Sequence, residues 1–134
     1  MTVSPSRTRP VVLLIEDNLT QRDLYAMVLE PDMSVIGAAR GEQGFDMAVT
    51  QQPDVIVLDI VLPDVDGLVI SDRLRADPRT AVIPVIVLTG DDAGYARAHL
   101  KSSELTGVLL KPCSGDRLLA AIDVALKRKP IEPA

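Results

Sequence analysis

Five polar or charged side chains follow four apolar runs of the sequence, each at the point where a run ends. The runs cover residues 11–15, 55–58, 82–88 (interrupted by Pro84) and 108–110, and the residues that follow them are Glu16, Asp17, Asp59, Thr89 and Lys111. Three carboxylates that lie together repel one another unless a cation joins them, and hard divalent cations prefer oxygen ligands. A hydroxyl and an ammonium group nearby suit the oxygens of a phosphoryl group. These residue types therefore predict magnesium-dependent phosphoryl chemistry.

Asp59 is the strongest candidate for a nucleophile. It directly follows the most apolar run of the chain, so a rigid strand end would hold its carboxylate. A carboxylate can attack phosphorus and form an acyl phosphate, as in ATPases that pass through an aspartyl phosphate. A single aspartate at a strand–loop junction is more often an ordinary surface residue, so Asp59 alone does not establish this chemistry.

The acidic pair Glu16 and Asp17 precedes a predicted helix. One polar residue there would serve as a helix cap, but Asn18 already fits that role, and two further acids exceed what capping needs. The pair would repel a bare phosphate held by this loop, whereas a bound metal ion would supply the dominant local charge and reverse that effect. Magnesium favours one or two carboxylates together with waters and phosphate oxygens. The pair therefore indicates a metal site.

Lys111 and Thr89 are ambiguous as single residues. Most lysines are solvated surface residues, and threonine is common in strands. Beside Asp59, the ammonium group would pair with the carboxylate and the hydroxyl would donate to a phosphoryl oxygen. Because such residues end four different runs, one shared site is favoured over several unrelated residues.

The elements that would position these residues alternate regularly along the chain. Five apolar runs alternate with five segments of helical period, which is the pattern of repeated βαβ units. Predicted strands cover residues 11–15, 34–36, 55–58, part of 82–88 and 108–110; predicted helices follow Asn18, cover about 42–51, follow Gly67, cover about 93–103 and begin at Ser114. Right-handed crossovers then favour an α/β fold, a flavodoxin-like doubly wound sheet of five parallel strands in the order 2-1-3-4-5 with five helices. In such a sheet, residues beyond the carboxyl ends of the strands line one crevice.

Length and composition agree with a single small domain. The chain has 134 residues, of which 47% are hydrophobic and only 2% aromatic, so its core must be aliphatic. Aliphatic residues suit parallel strands that are buried on both faces. We expect a flexible tail over residues 1–9, one domain over 10–129 and a short tail over 130–134.

Charge and hydropathy argue against several classes of partner. The net charge is −5, from 14 Lys+Arg against 19 Asp+Glu, and no basic stripe predicts nucleic-acid binding. The basic residues 127–129 end a predicted helix, where cations complement the helix dipole. No run approaches the ~20 apolar residues of a membrane span, and no apolar signal-peptide core precedes the first strand. We therefore expect a cytoplasmic protein, and the single cysteine, Cys113, excludes an internal disulfide.

With these residues the sequence resembles the receiver domain of two-component response regulators, in its stand-alone, CheY-like form. The resemblance covers about residues 10–128. It rests on the acidic pair, on the aspartate with a proline and a glycine after it, on the threonine and on a Lys-Pro dipeptide, which here are Glu16, Asp17, Asp59, Pro63, Gly67, Thr89, Lys111 and Pro112.

The resemblance implies a role for each of these positions. Asp59 would be the phosphoacceptor, taking its phosphoryl group from a phosphohistidine on a sensor histidine kinase or a histidine phosphotransfer protein. Mg²⁺ would bind directly to Asp17 and Asp59 and to the backbone carbonyl of Val61, with Glu16 acting mainly through water. Lys111 would neutralise phosphoryl charge. Thr89 would couple that group to the surface around helix four, strand five and helix five, a possible homodimer face. The Lys111–Pro112 peptide is expected to be cis.

Two positions depart from the family's pattern. Receivers usually carry an aromatic residue three positions before the lysine, where this chain has Val108. The coupling between an aromatic side chain and the threonine is therefore in question here. Cys113 stands where an aromatic residue is common, and a small, half-buried apolar role is the simplest expectation for it. His99, the only histidine, is expected on a helix surface.

The sequence favours a phosphorylated receiver that passes its signal to an unknown downstream protein over three other functions. A pseudo-receiver that is never phosphorylated would be expected to lack one of the acids or the lysine, and all are present. An aspartate-nucleophile phosphatase typically needs a second acid two residues after the nucleophile, where Val61 cannot transfer a proton. A flavodoxin would carry a hydroxyl-rich phosphate loop where this chain has acids. A receiver would catalyse at most its own phosphoryl transfer and dephosphorylation.

Overall fold

The computed structural model describes residues 9–128, in which five parallel strands form one sheet. The strands are β1 (Val11–Ile15), β2 (Ser34–Ala38), β3 (Val55–Leu58), β4 (Val85–Thr89) and β5 (Gly107–Leu110). They lie in the order β2-β1-β3-β4-β5, which confirms the predicted flavodoxin-like topology. The predicted tails lie outside the described residues, apart from residue 9, so their boundaries stay predictions.

Five helices connect and cover these strands. They are α1 (Leu19–Leu29), α2 (Gly41–Gln51), α3 (Gly67–Ala76), α4 (Asp92–Leu100) and α5 (Gly115–Arg128), and a single 3₁₀ turn spans Ser102–Glu104. No helix within residues 9–128 is long and apolar enough to cross a bilayer.

Four of the helices begin with a side-chain cap from the preceding residue, including α5, where Ser114 Oγ accepts a hydrogen bond of 3.2 Å from the Arg117 N–H. Asn18 Oδ1 accepts a hydrogen bond of 2.9 Å from the backbone N–H of Gln21, which confirms the predicted start of α1. Asp66 caps α3 and Asp91 caps α4 in the same way. Because each of these helices follows a strand in the chain, their N-termini lie around the carboxyl ends of the strands, where the candidate site residues were expected.

Both faces of the sheet are covered by helices and buried in apolar clusters. Side chains along each strand alternate between the two faces. On β1, Leu13 and Ile15 belong to one apolar cluster, whereas Val12 and Leu14 belong to the other. The first cluster is completed by α2, α3 and α4 through Ala48, Ile70, Leu74 and Ala98; the second is completed by α1 and α5 through Leu29, Leu118, Ile122 and Ala125. This arrangement explains why the central strands are continuous aliphatic runs.

The start of β4 and the end of α4 differ most from the sequence prediction. Strand β4 begins only at Val85, and Val82, which starts the apolar run, is 56% exposed. Pro84 has no N–H to donate to a ladder and precedes the strand. Helix α4 ends at Leu100 instead of near residue 103, because Lys101 leaves helical geometry and the chain tightens into the 3₁₀ turn.

Candidate functional site

The register of the sheet brings the predicted site residues to one edge. Ile15 lies beside Leu58, so the next residues, Glu16 and Asp59, are neighbours across β1 and β3. The Asp59 backbone N–H donates to the Ile15 carbonyl at 3.0 Å, which fixes this junction. Between β4 and β5, Thr89 lies beside Leu110, and the N–H of Lys111 donates to the Thr89 carbonyl at 2.8 Å.

The Lys111 ammonium group lies at the centre of this edge. Its Nζ donates to Glu16 Oε1, to Gln21 Oε1 at 2.5 Å and to Asp59 Oδ2 at 3.0 Å. The side chains of Glu16, Asp59 and Lys111 are only 4%, 8% and 13% exposed, so these ion pairs are largely removed from water. Lys111 thus joins the ends of β1, β3 and β5 through charge-assisted hydrogen bonds.

Glu16, Asp17 and Asp59 form an acidic cluster that could hold a metal ion. One carboxylate oxygen from each residue lies within 4.8 Å of those of the other two. Glu16 and Asp59 are buried, whereas Asp17 is exposed at the mouth of the site. This donor set is all oxygen and strongly anionic, which fits a hard divalent cation such as Mg²⁺.

Burial and neighbouring charges shift the pKa of two groups in the site. Burial raises the pKa of Glu16, and the nearby Asp59 carboxylate adds to this effect against the hydrogen bonds from Lys111 and Asn18. Burial lowers the pKa of Lys111, but hydrogen bonds and Coulomb attraction to Glu16 and Asp59 outweigh burial and raise it. The pKa shift of Glu16 is therefore mainly an effect of burial, whereas the pKa shift of Lys111 is an effect of the two carboxylates beside it. A cation bound beside these carboxylates would favour their charged forms.

The loop that follows Asp59 is held tightly against β3. The N–H of Val61 donates to Asp59 Oδ1 at 3.2 Å, and the N–H of Gly67 donates to the Ile60 carbonyl at 2.7 Å. Val61 and Asp66 also form an isolated antiparallel bridge across this loop. A Cβ atom at Gly67 would lie 2.2 Å from the Asp59 carbonyl oxygen, so the close approach of α3 to β3 requires glycine there.

The same loop reaches the helices on both sides of it. Asp64 accepts hydrogen bonds from the N–H groups of Gly41 and Glu42 at 2.9 and 3.0 Å, and thereby caps α2 from outside that helix. These hydrogen bonds lower the pKa of the Asp64 carboxyl. Asp66, the cap of α3, forms an ion pair of 2.5 Å with Arg97 of α4. The loop after Asp59 is therefore connected directly to α2, α3 and α4.

Thr89 is fully buried and is the last residue of β4, whereas the sequence analysis treated it as the first residue beyond the run. Its hydroxyl oxygen accepts a hydrogen bond of 3.2 Å from the N–H of Asp91. With the other predicted site residues it lines an open cavity of about 440 Å³, whose lining includes Glu16, Asp17, Asp59, Val61, Thr89 and Lys111. The structure thus brings every predicted site residue to one cavity.

Gln21 was missed as a site residue. The sequence pattern predicts for it only a role in the cap of α1, whereas its side-chain oxygen also accepts a hydrogen bond from Lys111 and its side chain lines the cavity. The only sequence signal for this contact was its place one helical turn after the acidic pair. The loop carries further local contacts, because Asn18 N–H donates to Glu16 Oε2 at 3.1 Å and Arg22 donates to the Glu16 carbonyl at 2.7 Å.

The positions that depart from the receiver pattern have ordinary packing. Val108 is half-buried against the apolar cluster on the α2, α3 and α4 side. Cys113 is half-buried, as expected, and burial raises the pKa of its thiol. His99 lies exposed on α4, also as expected, and its ring meets that of Tyr95 edge-on at 4.5 Å. The Lys111–Pro112 peptide is cis, in agreement with the resemblance.

Comparison with known sequences gives a consistent family signal. The sequence model of the response regulator receiver domain family matches residues 12–123. The chain is 38% identical over 120 residues to the DNA-binding dual master transcriptional regulator RpaA of Synechocystis sp., covering 89% of this chain and 50% of that protein. It is 31% identical over 116 residues to protein PilH of Pseudomonas aeruginosa, covering 86% of this chain and 96% of that protein. The chain therefore spans about half the length of some relatives and nearly all of others.

Solved structures give the same result. The chemotaxis response regulator CheY4 of Vibrio cholerae superposes with a TM-score of 0.79 at 25% identity, covering 89% of this chain and all of that one (100%). The signal receiver domain of a modulated diguanylate cyclase from Desulfovibrio desulfuricans has a TM-score of 0.76 at 30% identity, covering 90% of this chain and 96% of that one.

Proposed function

The chain belongs to the response regulator receiver domain family of two-component signalling, and from this premise we propose that it accepts a phosphoryl group on Asp59. The donor would be a phosphohistidine of a sensor histidine kinase or a histidine phosphotransfer protein. A carboxylate oxygen of Asp59 would attack phosphorus and form an O–P bond while the P–N bond breaks and its electron pair returns to the imidazole.

The contacts of the Lys111 ammonium group are the observation that carries this proposal. It lies against Asp59 Oδ2 and Glu16 Oε1 in a buried position, where a compact cation can interact with a phosphoryl group formed on Asp59. Thr89 lines the same cavity and would donate its hydroxyl proton to a phosphoryl oxygen. Fixed donors of this kind stabilise charge where it develops during transfer.

Mg²⁺ is the proposed cofactor of this reaction. Asp17 and Asp59 would hold it through their carboxylates, Val61 through its backbone carbonyl and Glu16 through a water molecule. When bound, the ion would neutralise charge shared by the carboxylates and the incoming phosphoryl oxygens. The acidic cluster, with one oxygen of each carboxylate within 4.8 Å of the others, supports this assignment.

The output of the domain would be a protein–protein contact or onward transfer of the phosphoryl group. The downstream protein would recognise the surface of α4, β5 and α5, which is also a candidate homodimer face. Receivers usually have an aromatic residue that takes part in signal transfer to that surface, and this chain has Val108 at its position. The loop after Asp59 offers a second route, because Asp66 joins its end to Arg97 of α4.

Two alternatives receive no support from the site. A pseudo-receiver does not require the buried Lys111–Asp59 pair. A phosphatase would need an acid at the position of Val61, whose side chain is aliphatic and 58% exposed.

Incubation with Mg²⁺ and acetyl phosphate tests the proposal by intact mass. We expect wild type to gain one phosphate and Asp59→Asn to gain none, because the amide cannot form the acyl phosphate. Asp72→Asn is the matched control: Asp72 lies exposed on α3, away from the cavity, and this variant should be phosphorylated like wild type. Absence of a mass gain in wild type, or an equal gain in Asp59→Asn, would exclude Asp59 as the acceptor. Sustained turnover of unrelated phosphomonoesters would instead favour a phosphatase.

A further inference from the structure

Gln21 occupies a place in the site for which the acidic cluster and the phosphoryl chemistry give no role. The Lys111 ammonium group has three N–H donors, and the structure gives Nζ three acceptors. Two of them, Glu16 and Asp59, are carboxylates of the metal-binding cluster. The third, Gln21 Oε1, is a neutral amide oxygen at 2.5 Å.

The position of Gln21 is set by the fold. It lies in the first turn of α1, and its backbone N–H is held at 2.9 Å by Asn18 Oδ1. Its side chain is half-buried at the boundary between the acidic cavity and a smaller groove lined by Tyr25 and Cys113. The amide oxygen therefore has a defined direction toward Lys111.

From these contacts we infer that Gln21 is the positioning residue that retains the Lys111 ammonium group in place during phosphoryl transfer. This inference rests on the proposed function of the site. When a cation and a phosphoryl group bind to the carboxylates, the oxygens of Glu16 and Asp59 must interact with these groups as well as with Lys111. The amide of Gln21 is neutral and attracts them less strongly. Its oxygen therefore remains available as a hydrogen-bond acceptor for Lys111 throughout the reaction.

The amide is also better suited to this task than a carboxylate. Two carboxylates, those of Glu16 and Asp59, already lie against the single ammonium group of Lys111. A further carboxylate at position 21 would add negative charge at the point where an anionic phosphoryl group must arrive. Glutamine supplies the acceptor without that repulsion.

The first experiment measures the ammonium group directly. The hydrogen-exchange rate of the Lys111 ammonium protons is recorded by ¹⁵N NMR in metal-free protein, with Lys111→Met identifying the signal. We expect Gln21→Leu to accelerate exchange about tenfold, because a hydrogen bond to a charged group is lost. Gln21→Glu should restore slow exchange, since it returns an acceptor oxygen. An unchanged exchange rate in Gln21→Leu overturns the inference.

The second experiment measures phosphorylation by acetyl phosphate at saturating Mg²⁺. We expect Gln21→Leu to slow the reaction about tenfold, in line with the loss of one charge-assisted hydrogen bond. The matched control is Gln43→Leu, because Gln43 occupies the same third position of α2 but accepts its hydrogen bond from the local Ala39 N–H, away from the cavity. That variant should react like wild type.

A double-mutant cycle separates positioning from direct metal binding. If Gln21 acts through Lys111, Gln21→Leu should cause no further loss of rate in a Lys111→Met background. A further loss there would assign Gln21 to the cation or the phosphoryl group and would refute the positioning role. If wild type is never phosphorylated, the proposed function fails, whereas the exchange measurement still tests the contact between Gln21 and Lys111.

Discussion

Replacement of Gly67 by alanine tests how closely α3 must approach the end of β3. The added Cβ would lie 2.2 Å from the Asp59 carbonyl oxygen and 2.7 Å from Ile60 Cα. Both obstacles are backbone atoms of the segment that carries the proposed phosphoacceptor, so neither can move without displacing that segment. Alanine in a helix is otherwise favoured over glycine by up to about 1 kcal/mol, so crowding and helix propensity act in opposite directions here.

Crowding should exceed the gain in helix propensity. Overpacking typically costs about 1–3 kcal/mol, and a backbone obstacle places Gly67→Ala at the upper end of that range. Subtracting the propensity gain leaves a net loss of about 2 kcal/mol in the free energy of unfolding, which corresponds to a decrease of roughly 5–10 °C in Tm for a domain of this size. Phosphorylation should also slow at temperatures where the variant is still folded, because Asp59 moves.

Urea unfolding followed by circular dichroism measures this change, with Gly107→Ala as the matched control. The Cβ at Gly107 would meet only Ile86 side-chain atoms at 3.7 and 3.8 Å, which is ordinary van der Waals contact. That control should stay within about 0.5 kcal/mol of wild type. A Gly67→Ala variant as stable as wild type would refute the close packing of α3 against β3.

Two further predictions concern stability away from the site. Hydrogen bonding and ion pairing with Arg79 lower the pKa of Asp77 to about 2 in the folded protein. The charged carboxylate therefore stabilises the fold at pH values above the unfolded-state pKa of about 4, and this contribution disappears as the pH falls toward 2. Asp77→Asn should therefore be less stable than wild type at pH 7, and the difference in Tm should shrink across this window; a difference that is constant with pH would contradict the ion pair. Ile122 of α5 is fully buried, so Ile122→Ala should lower the free energy of unfolding in urea by about 2–5 kcal/mol. Val124→Ala on the same helix, where the side chain is 46% exposed, should change stability by less than about 1 kcal/mol, and equal losses would contradict the burial of Ile122.

Much of the architecture was readable from local patterns. The aliphatic runs of β1 and β3 were predicted to the residue, and the start of α1 followed from Asn18. These features depend on neighbouring residues, whose hydrophobic period and capping chemistry are written directly in the chain. Five of the candidate site residues were identified for the same reason, because they follow the ends of apolar runs, whereas Val61 was expected only from the family resemblance. The start of β4 and the end of α4 were predicted less accurately, since Pro84 and the polar residues after Leu100 weaken the local signal.

The contacts among those residues depend on the register and crossovers of the sheet. Lys111 and Glu16 are 95 positions apart in the chain, and only the placement of β5 and β1 around β3 and β4 brings the ammonium group to that carboxylate. The role of Gln21 as a third acceptor and the reach of Asp64 to the N-terminus of α2 arise in the same way. No local period encodes these distances, because they are set by how separate elements pack. The residue types of the site are thus written in the sequence, whereas the network that joins them exists only in the folded chain.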